Sequence, residues 1–220
     1  MPAPFDLIPT LLLGLVVTLE VTAGGACVAL VMAFAAGLGR LSGHFIVRAV
    51  ARIYVEIFRG TSALVQLFWV YFVLPFFGIS VEPLVAGIVV LGLNIGAYGA
   101  EVVRGAIQAV PAAQWEAAAA LNFSTRQTRW RIVIPQALPA MLPPAGNLLI
   151  ELLKSTALVS LVTLGDLTFV AQTLRADTLR TPEIFSLVLL IYFGVALVMN
   201  YGVRRLERRL SFWRDVEARR

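Results

Sequence analysis

Histidine and cysteine occur once each in this 220-residue chain, as His44 and Cys27, and lysine occurs once, as Lys154. A single histidine rules out paired-histidine metal motifs such as H-E-x-x-H. Lys154 follows Leu153, so there is no G-x-x-x-x-G-K-[ST] phosphate loop and the chain is no P-loop ATPase. The G-x-S-x-G nucleophile elbow is missing as well. One cysteine excludes an internal disulfide, and Cys27 reads as a small packing residue in an apolar stretch. His44 lies among arginines and reads as solvated or at a lipid interface. With no second histidine or cysteine, an intramembrane enzyme lacks a metal set or nucleophile. Charged residues are scarce too, at 14% of the chain.

Apolar residues fill the space: 59% of the chain is hydrophobic and the mean hydropathy is +0.85, against about 45–50% apolar in soluble domains. The excess comes in blocks. Residues 7–38 hold one charge, Glu20; residues 61–81, 84–100 and 184–203 hold none; residues 145–165 hold Glu151 and Lys154. Runs of about 18 or more such residues predict transmembrane helices. The expectation is an all-α integral membrane protein of about five transmembrane helices, one domain over residues 1–220. The first block has no basic residue before it and is far longer than a signal-peptide core, so it reads as a retained span.

The net charge of +5 does not point to nucleic acid, because its placement is one-sided. Arg40, Arg48, Arg52 and Arg59 follow the first block, and Arg104, Arg126, Arg129 and Arg131 follow the third. Arg204, Arg205, Arg208, Arg209, Arg214, Arg219 and Arg220 follow the last, whereas only Arg175 and Arg180 stand between the fourth and fifth. Basic residues stay on the cytoplasmic side, which predicts an outer N-terminus and a cytoplasmic C-terminus in a bacterial inner membrane.

The third block, GLNIGAYGAEVVRGAI, sets Gly92, Gly96, Gly99 and Ala100 at helical spacing. Such small faces let backbones approach closely in lipid, within the chain or across a dimer. Asn94 is polar inside this block and needs an internal partner or a watery cavity. Glu101 and Arg104 are i, i+3 neighbours able to pair at the interface. In the fourth block, Glu151 and Lys154 lie about one turn apart on one helical face, with Ser155 beside them. An ionised group at that depth costs roughly 3 kcal/mol or more unless paired or hydrated. The two either neutralise each other and lock helices together or line a polar translocation path; Asn94, Glu151, Lys154 and Ser155 are the path candidates.

Between these blocks runs AVPAAQWEAAAALNFSTRQTRWRIVIPQALP. Alanine favours a helix and Pro111 suits its first turn. Asn122 suits the left-handed position after its last turn. Ser124 to Gln127 matches S-x-x-Q, a capping box that opens a second helix, and Pro135 is expected to end or kink it at Ile134. The reading is two short helices at a tight corner, in a loop at about 108–138, with a smooth alanine surface able to enter a groove in another protein.

EAAAALNFSTRQTRWRIVIPQALP resembles the E-A-A loop of binding-protein-dependent ABC importer permeases. YVEIFRGTSALVQLFWVYFVLP, AYGAEVVRGAI and ELLKSTALVSLVTLGDL resemble their polar amino acid branch. ALNFS together with LLIELLKSTALVSLVTLGDLTFVAQTLR is similar to ectoine/hydroxyectoine uptake permeases. The resemblance implies a MetI-like fold in which Glu116, Ala117 and Ala118 take the E-A-A positions and, with Asn122 and Arg126, couple to the ATPase. Asn122 departs from the family glycine, and Ser62 stands where a proline is usual. Implied partners are two ATPase subunits carrying ATP and Mg, a second identical or homologous permease, an extracytoplasmic solute-binding protein and membrane lipid. No cofactor is implied on this chain. The competing expectation from Asn94, Glu151 and Lys154 alone is an ion-coupled secondary carrier or channel.

Overall fold

In lipid a backbone must satisfy its hydrogen bonds within its own segment, and every regular element among the described residues is helical. The computed structural model describes residues 5–217, with side chains as far as 209; the side chains of Arg214, Arg219 and Arg220 lie outside the described residues. Four helices are long and apolar enough to cross a membrane, and a bent pair brings the count to as many as five. The all-α, roughly five-span expectation therefore holds.

The centre is a close pair, α1 (Ile8–Arg40) and α4 (Pro83–Gln108). A Cβ added at Gly92 would meet Val28 at 2.6 Å, one at Gly96 would meet Met32 at 2.9 Å, and one at Gly99 would meet Ala33 at 2.7 Å. Partner numbers rise together along both helices, so the two run parallel. Of the two uses foreseen for the small face, packing within the chain is the one observed.

Helix α7 (Ile134–Ser155) runs back along α4, with Gly99 opposite Leu148. Val103 and Ile107 of α4 share a buried cluster with Ile134, Ala137 and Met141 of α7. Helix α9 (Thr181–Glu217) returns beside α7, where Gly146 admits Val203. Helix α8 (Leu167–Thr178) closes the other end, packing Leu167 and Ala171 with Leu7, Leu11 and Ile184. These contacts bring Ala100 of α4, Ala145 of α7 and Val203 of α9 to one edge of the apolar layer.

The expected span at 61–81 falls on the second limb of a bent pair. Helix α2 (Phe45–Gly60) bends by 104° into a second run, Ala63–Phe77, which opens with α3 (Ala63–Phe68). Because α1 and α4 run parallel, the chain between Arg40 and Pro83 must return to the side where α1 began, and the bent pair with the residues after it makes that return. Two side chains pin the corner. Asn94 Nδ2 donates to the Phe58 carbonyl at 2.9 Å and to Gln66 Oε1 at 3.2 Å. Gln66 Nε2 donates to the Phe58 carbonyl at 3.1 Å and to Thr61 Oγ1 at 2.7 Å. Tyr54 adds a hydrogen bond from its hydroxyl to the Leu93 carbonyl at 2.7 Å.

Candidate functional site

Helix α5 (Ala112–Ala120) ends as its sequence requires. Asn122 has φ 58°, its N–H donates to the Ala119 carbonyl at 2.9 Å, and the Phe123 N–H donates to the Ala118 carbonyl at 3.0 Å. This pair of bonds is a Schellman motif closed by a left-handed residue. The next helix, α6 (Thr125–Thr128), opens on a complete capping box. The Gln127 N–H donates to Ser124 Oγ at 3.3 Å, and the Ser124 N–H donates to Gln127 Oε1 at 2.9 Å. Leu121, Asn122 and Phe123 alone separate the last residue of α5 from the cap of α6, so the corner is fixed by its own hydrogen bonds.

Continuation past this corner differs from expectation. Pro135 neither ends the helix nor separates it from the fourth span. A π-helical turn, Arg129–Val133, joins α6 to α7, and Pro135 occupies the first turn of α7. Proline lacks an N–H and clashes with the carbonyl four residues earlier. A single wide turn ahead of it absorbs both defects and keeps the helical run continuous, with Pro139, Pro143 and Pro144 further along α7. The helical run therefore extends from Thr125 to Val162, 38 residues, rather than starting near Ala145. Arg126 stands about 28 Å beyond Ala145 along that axis and Arg131 about 21 Å, at 1.5 Å per residue. Arg129, between them in sequence, reaches the Leu41 carbonyl just past α1, so this segment packs against the end of the bundle.

On this protruding corner Glu116, Ala117, Asn122 and Arg126 are exposed, while Ala118 is buried against the rest of the fold. Gln136 Nε2 donates to Gln114 Oε1 at 3.1 Å and ties α5 to α7. Leu121 and Trp130 are also exposed, at 69% and 55%, and an open cleft of about 300 Å³ is lined by Arg126, Gln127, Trp130 and Arg131. The three arginines of this segment separate. Arg126 and Arg131 face outward, whereas half-buried Arg129 donates through Nη2 to the Leu41 carbonyl at 3.5 Å and braces the corner on α1.

The path candidates do not form one cluster. Asn94 is buried and spends its amide on the α2–α3 corner. Glu151 and Lys154 are both exposed near the end of α7, and among the described residues no ion pair joins them. The intramolecular lock is thus not formed; the two charges share an open face. Ser155 ends α7, half-buried, where the chain tightens into the 3₁₀ turn Thr156–Val162.

Sequence reasoning found the Glu101–Arg104 pair, with Arg104 Nε donating to Glu101 Oε2 at 2.9 Å. It missed that Arg40 and Arg59 converge on the same carboxylate. Gln66 was missed too, although a lone amide in the charge-free run 61–81 is a signal, because such a group needs a partner in lipid.

Membrane-spanning helices that carry a capped helical corner at one end define a membrane subunit shaped to be engaged from one side. The chain belongs to the binding-protein-dependent transport system inner membrane component family, whose model matches residues 25–212. It is 49% identical over 204 residues to the probable amino-acid ABC transporter permease protein y4tF of Sinorhizobium fredii, covering 90% of this chain and 86% of that one. It is 37% identical over 206 residues to the glutamine transport system permease protein GlnP of Escherichia coli, covering 93% and 94%. A solved structure of an amino acid ABC transporter with histidines superposes with a TM-score of 0.87 at 34% identity, covering 95% of this chain and all of that one.

Proposed function

We propose that this chain is a permease subunit of an ATP-driven importer of polar amino acids or related zwitterionic compatible solutes, with ectoine and hydroxyectoine as named candidates. Family membership over residues 25–212 and relatives described as amino-acid and glutamine permeases support the substrate class. The observation that supports the coupling role is the hydrogen-bonded corner of α5 and α6, on which Glu116, Ala117 and Asn122 are exposed.

Two ATPase subunits, holding ATP and Mg, would bind this corner on the cytoplasmic side. A second permease completes the pore, and a solute-binding protein delivers substrate from the other face. The arginine placement supports an outer N-terminus. Glu116 supplies the polar contact, the exposed alanines supply close fit, and Arg126 adds charge at the rim. Each nucleotide state of the ATPases must bind one conformation of the corner better than the other, because only differential affinity shifts an equilibrium. Since α7 is continuous with α6, movement of the corner passes directly to the face bearing Glu151 and Lys154.

Glu116→Lys is expected to leave the protein in the membrane, with substrate-stimulated ATP hydrolysis reduced at least tenfold, about the effect of losing one charged contact worth 1.4 kcal/mol or more. Full stimulated hydrolysis in that variant rules out Glu116 as the contact. Ligand titration of the cognate binding protein with ectoine, hydroxyectoine and glutamine assigns the substrate. Tight binding of glutamine alone removes the ectoine reading.

A further inference from the structure

Arg40 of α1, Arg59 of α2 and Arg104 of α4 all reach the carboxylate of Glu101, Arg59 at 3.7 Å and Arg104 at 2.7 Å. Arg52 also stands close enough to repel Arg40, and Glu56 close enough to attract it. Four guanidiniums thus face two carboxylates, a surplus of two positive charges held by three elements. The side chains remain reachable: Arg59 is 42% exposed and Arg104 31%. Arg59 is held in place by stacking on the Tyr98 ring, 5.2 Å from its centroid.

Depth decides what could neutralise that surplus. Glu101 follows Ala100 directly at the end of the charge-free run of α4, and Arg40 closes α1. The cluster therefore sits at the edge of the apolar layer, level with lipid headgroups. Beside it, α2 exposes Ile46, Val50, Ile53 and Ile57, spaced as one helical stripe. A helix with an apolar stripe and arginines on its flanks lies at the boundary of headgroups and acyl chains. Guanidinium forks match phosphate oxygens two at a time.

We propose that Arg40, Arg52, Arg59 and Arg104, arranged around Glu101 and bordered by the exposed stripe of α2, bind the phosphate of an anionic phospholipid in the adjoining leaflet. Glu101 keeps three of the guanidiniums convergent, and the lipid supplies the negative charge that Glu101 and Glu56 do not. The acyl chains lie along Ile46, Val50, Ile53 and Ile57. This site is independent of the transport reading, and it binds whether or not an ATPase is attached.

The test is native mass spectrometry of the full chain, released from bilayers of phosphatidylcholine containing phosphatidylglycerol. The unaltered chain is expected to retain phosphatidylglycerol in preference to phosphatidylcholine. Each arginine near the surface contributes about fivefold, so R52Q/R59Q is expected to lose about 25-fold in that preference. R175Q, an exposed arginine of α8 at the opposite end of the bundle, should lose nothing. Equal retention by R52Q/R59Q and the unaltered chain overturns the proposal, as does an equal loss in R175Q. Displacement of the lipid by millimolar inorganic phosphate also overturns it, because the site would then be one for a free anion. If R52Q/R59Q fails to fold, R52Q alone serves, since Arg52 is exposed and outside the Glu101 ion pairs; a loss of about fivefold supports the site and no loss overturns it.

Discussion

Asn122 occupies the left-handed region at φ 58°, where most side chains crowd the following carbonyl. Its short amide tolerates that region, and only glycine does better. Asn122→Val is expected to cost about 1–2 kcal/mol, and Asn122→Gly nothing; thermal denaturation in detergent compares the two. Thr163 and Leu179 share this conformation without the amide's tolerance, at the turns on either side of α8. Asp166, between those turns, is fully buried and caps α8 by accepting the N–H groups of Thr168 and Phe169. Burial raises its carboxyl above the usual 3.8, although the two N–H groups oppose the shift. A folded-state value above the unfolded one favours folding below pH 3.8, and that contribution is lost as pH rises through the shifted value. Asp166→Asn keeps a cap and removes the slope, so its melting temperature should vary less with pH from 3.8 upward. An unchanged pH profile would show that Asp166 does not titrate differently on folding.

At the scale of elements, the bent α2–α3 pair depends on one buried amide. Asn94→Leu leaves the Phe58 carbonyl with one donor fewer and Gln66 Oε1 unpaired, and is expected to cost about 1–3 kcal/mol. The readout is a lowered melting temperature at unaltered substrate preference; altered preference with full stability would return Asn94 to the translocation path. The corner of α5 and α6 was legible in the sequence because each bond in it joins residues no more than five apart. Asn at the turn and Ser/Gln three residues apart were sufficient. The α2–α3 bend was not legible, since its clamp joins Asn94 to Phe58 and Gln66, 36 and 28 residues away. The helix past Pro135 escaped for another reason: proline usually ends or kinks a helix, and the sequence does not say that a π turn ahead of it will carry the helix on. The site was legible to a similar extent. Glu101 and Arg104 are one turn apart, but Arg40 and Arg59 join them only through tertiary packing.

On the scale of the whole molecule, Glu151 and Lys154 stand exposed on one face, and exposure in a membrane chain requires water, lipid headgroups or a second subunit. Lys154→Met removes the charge with little change in length. The expected outcome is intact assembly, checked by co-purification with the partner subunits, with uptake reduced at least tenfold, the size of a lost charge contact. Loss of assembly instead would assign the pair to the contact between permeases. The small-residue face of α4 was read correctly as a packing surface, but its partner, α1, could be identified only from the fold.

Thr125 to Val162 is a single helical run of 38 residues, about 60 Å long when its last two turns are 3₁₀. Such a rod is a lever. Braced near one end by Arg129 on Leu41 and ending beyond the other at the left-handed Thr163, it turns a small push into a long stroke. The wide turn at Arg129–Val133, which spares Pro135 from breaking the axis, is what keeps handle and arm in one piece.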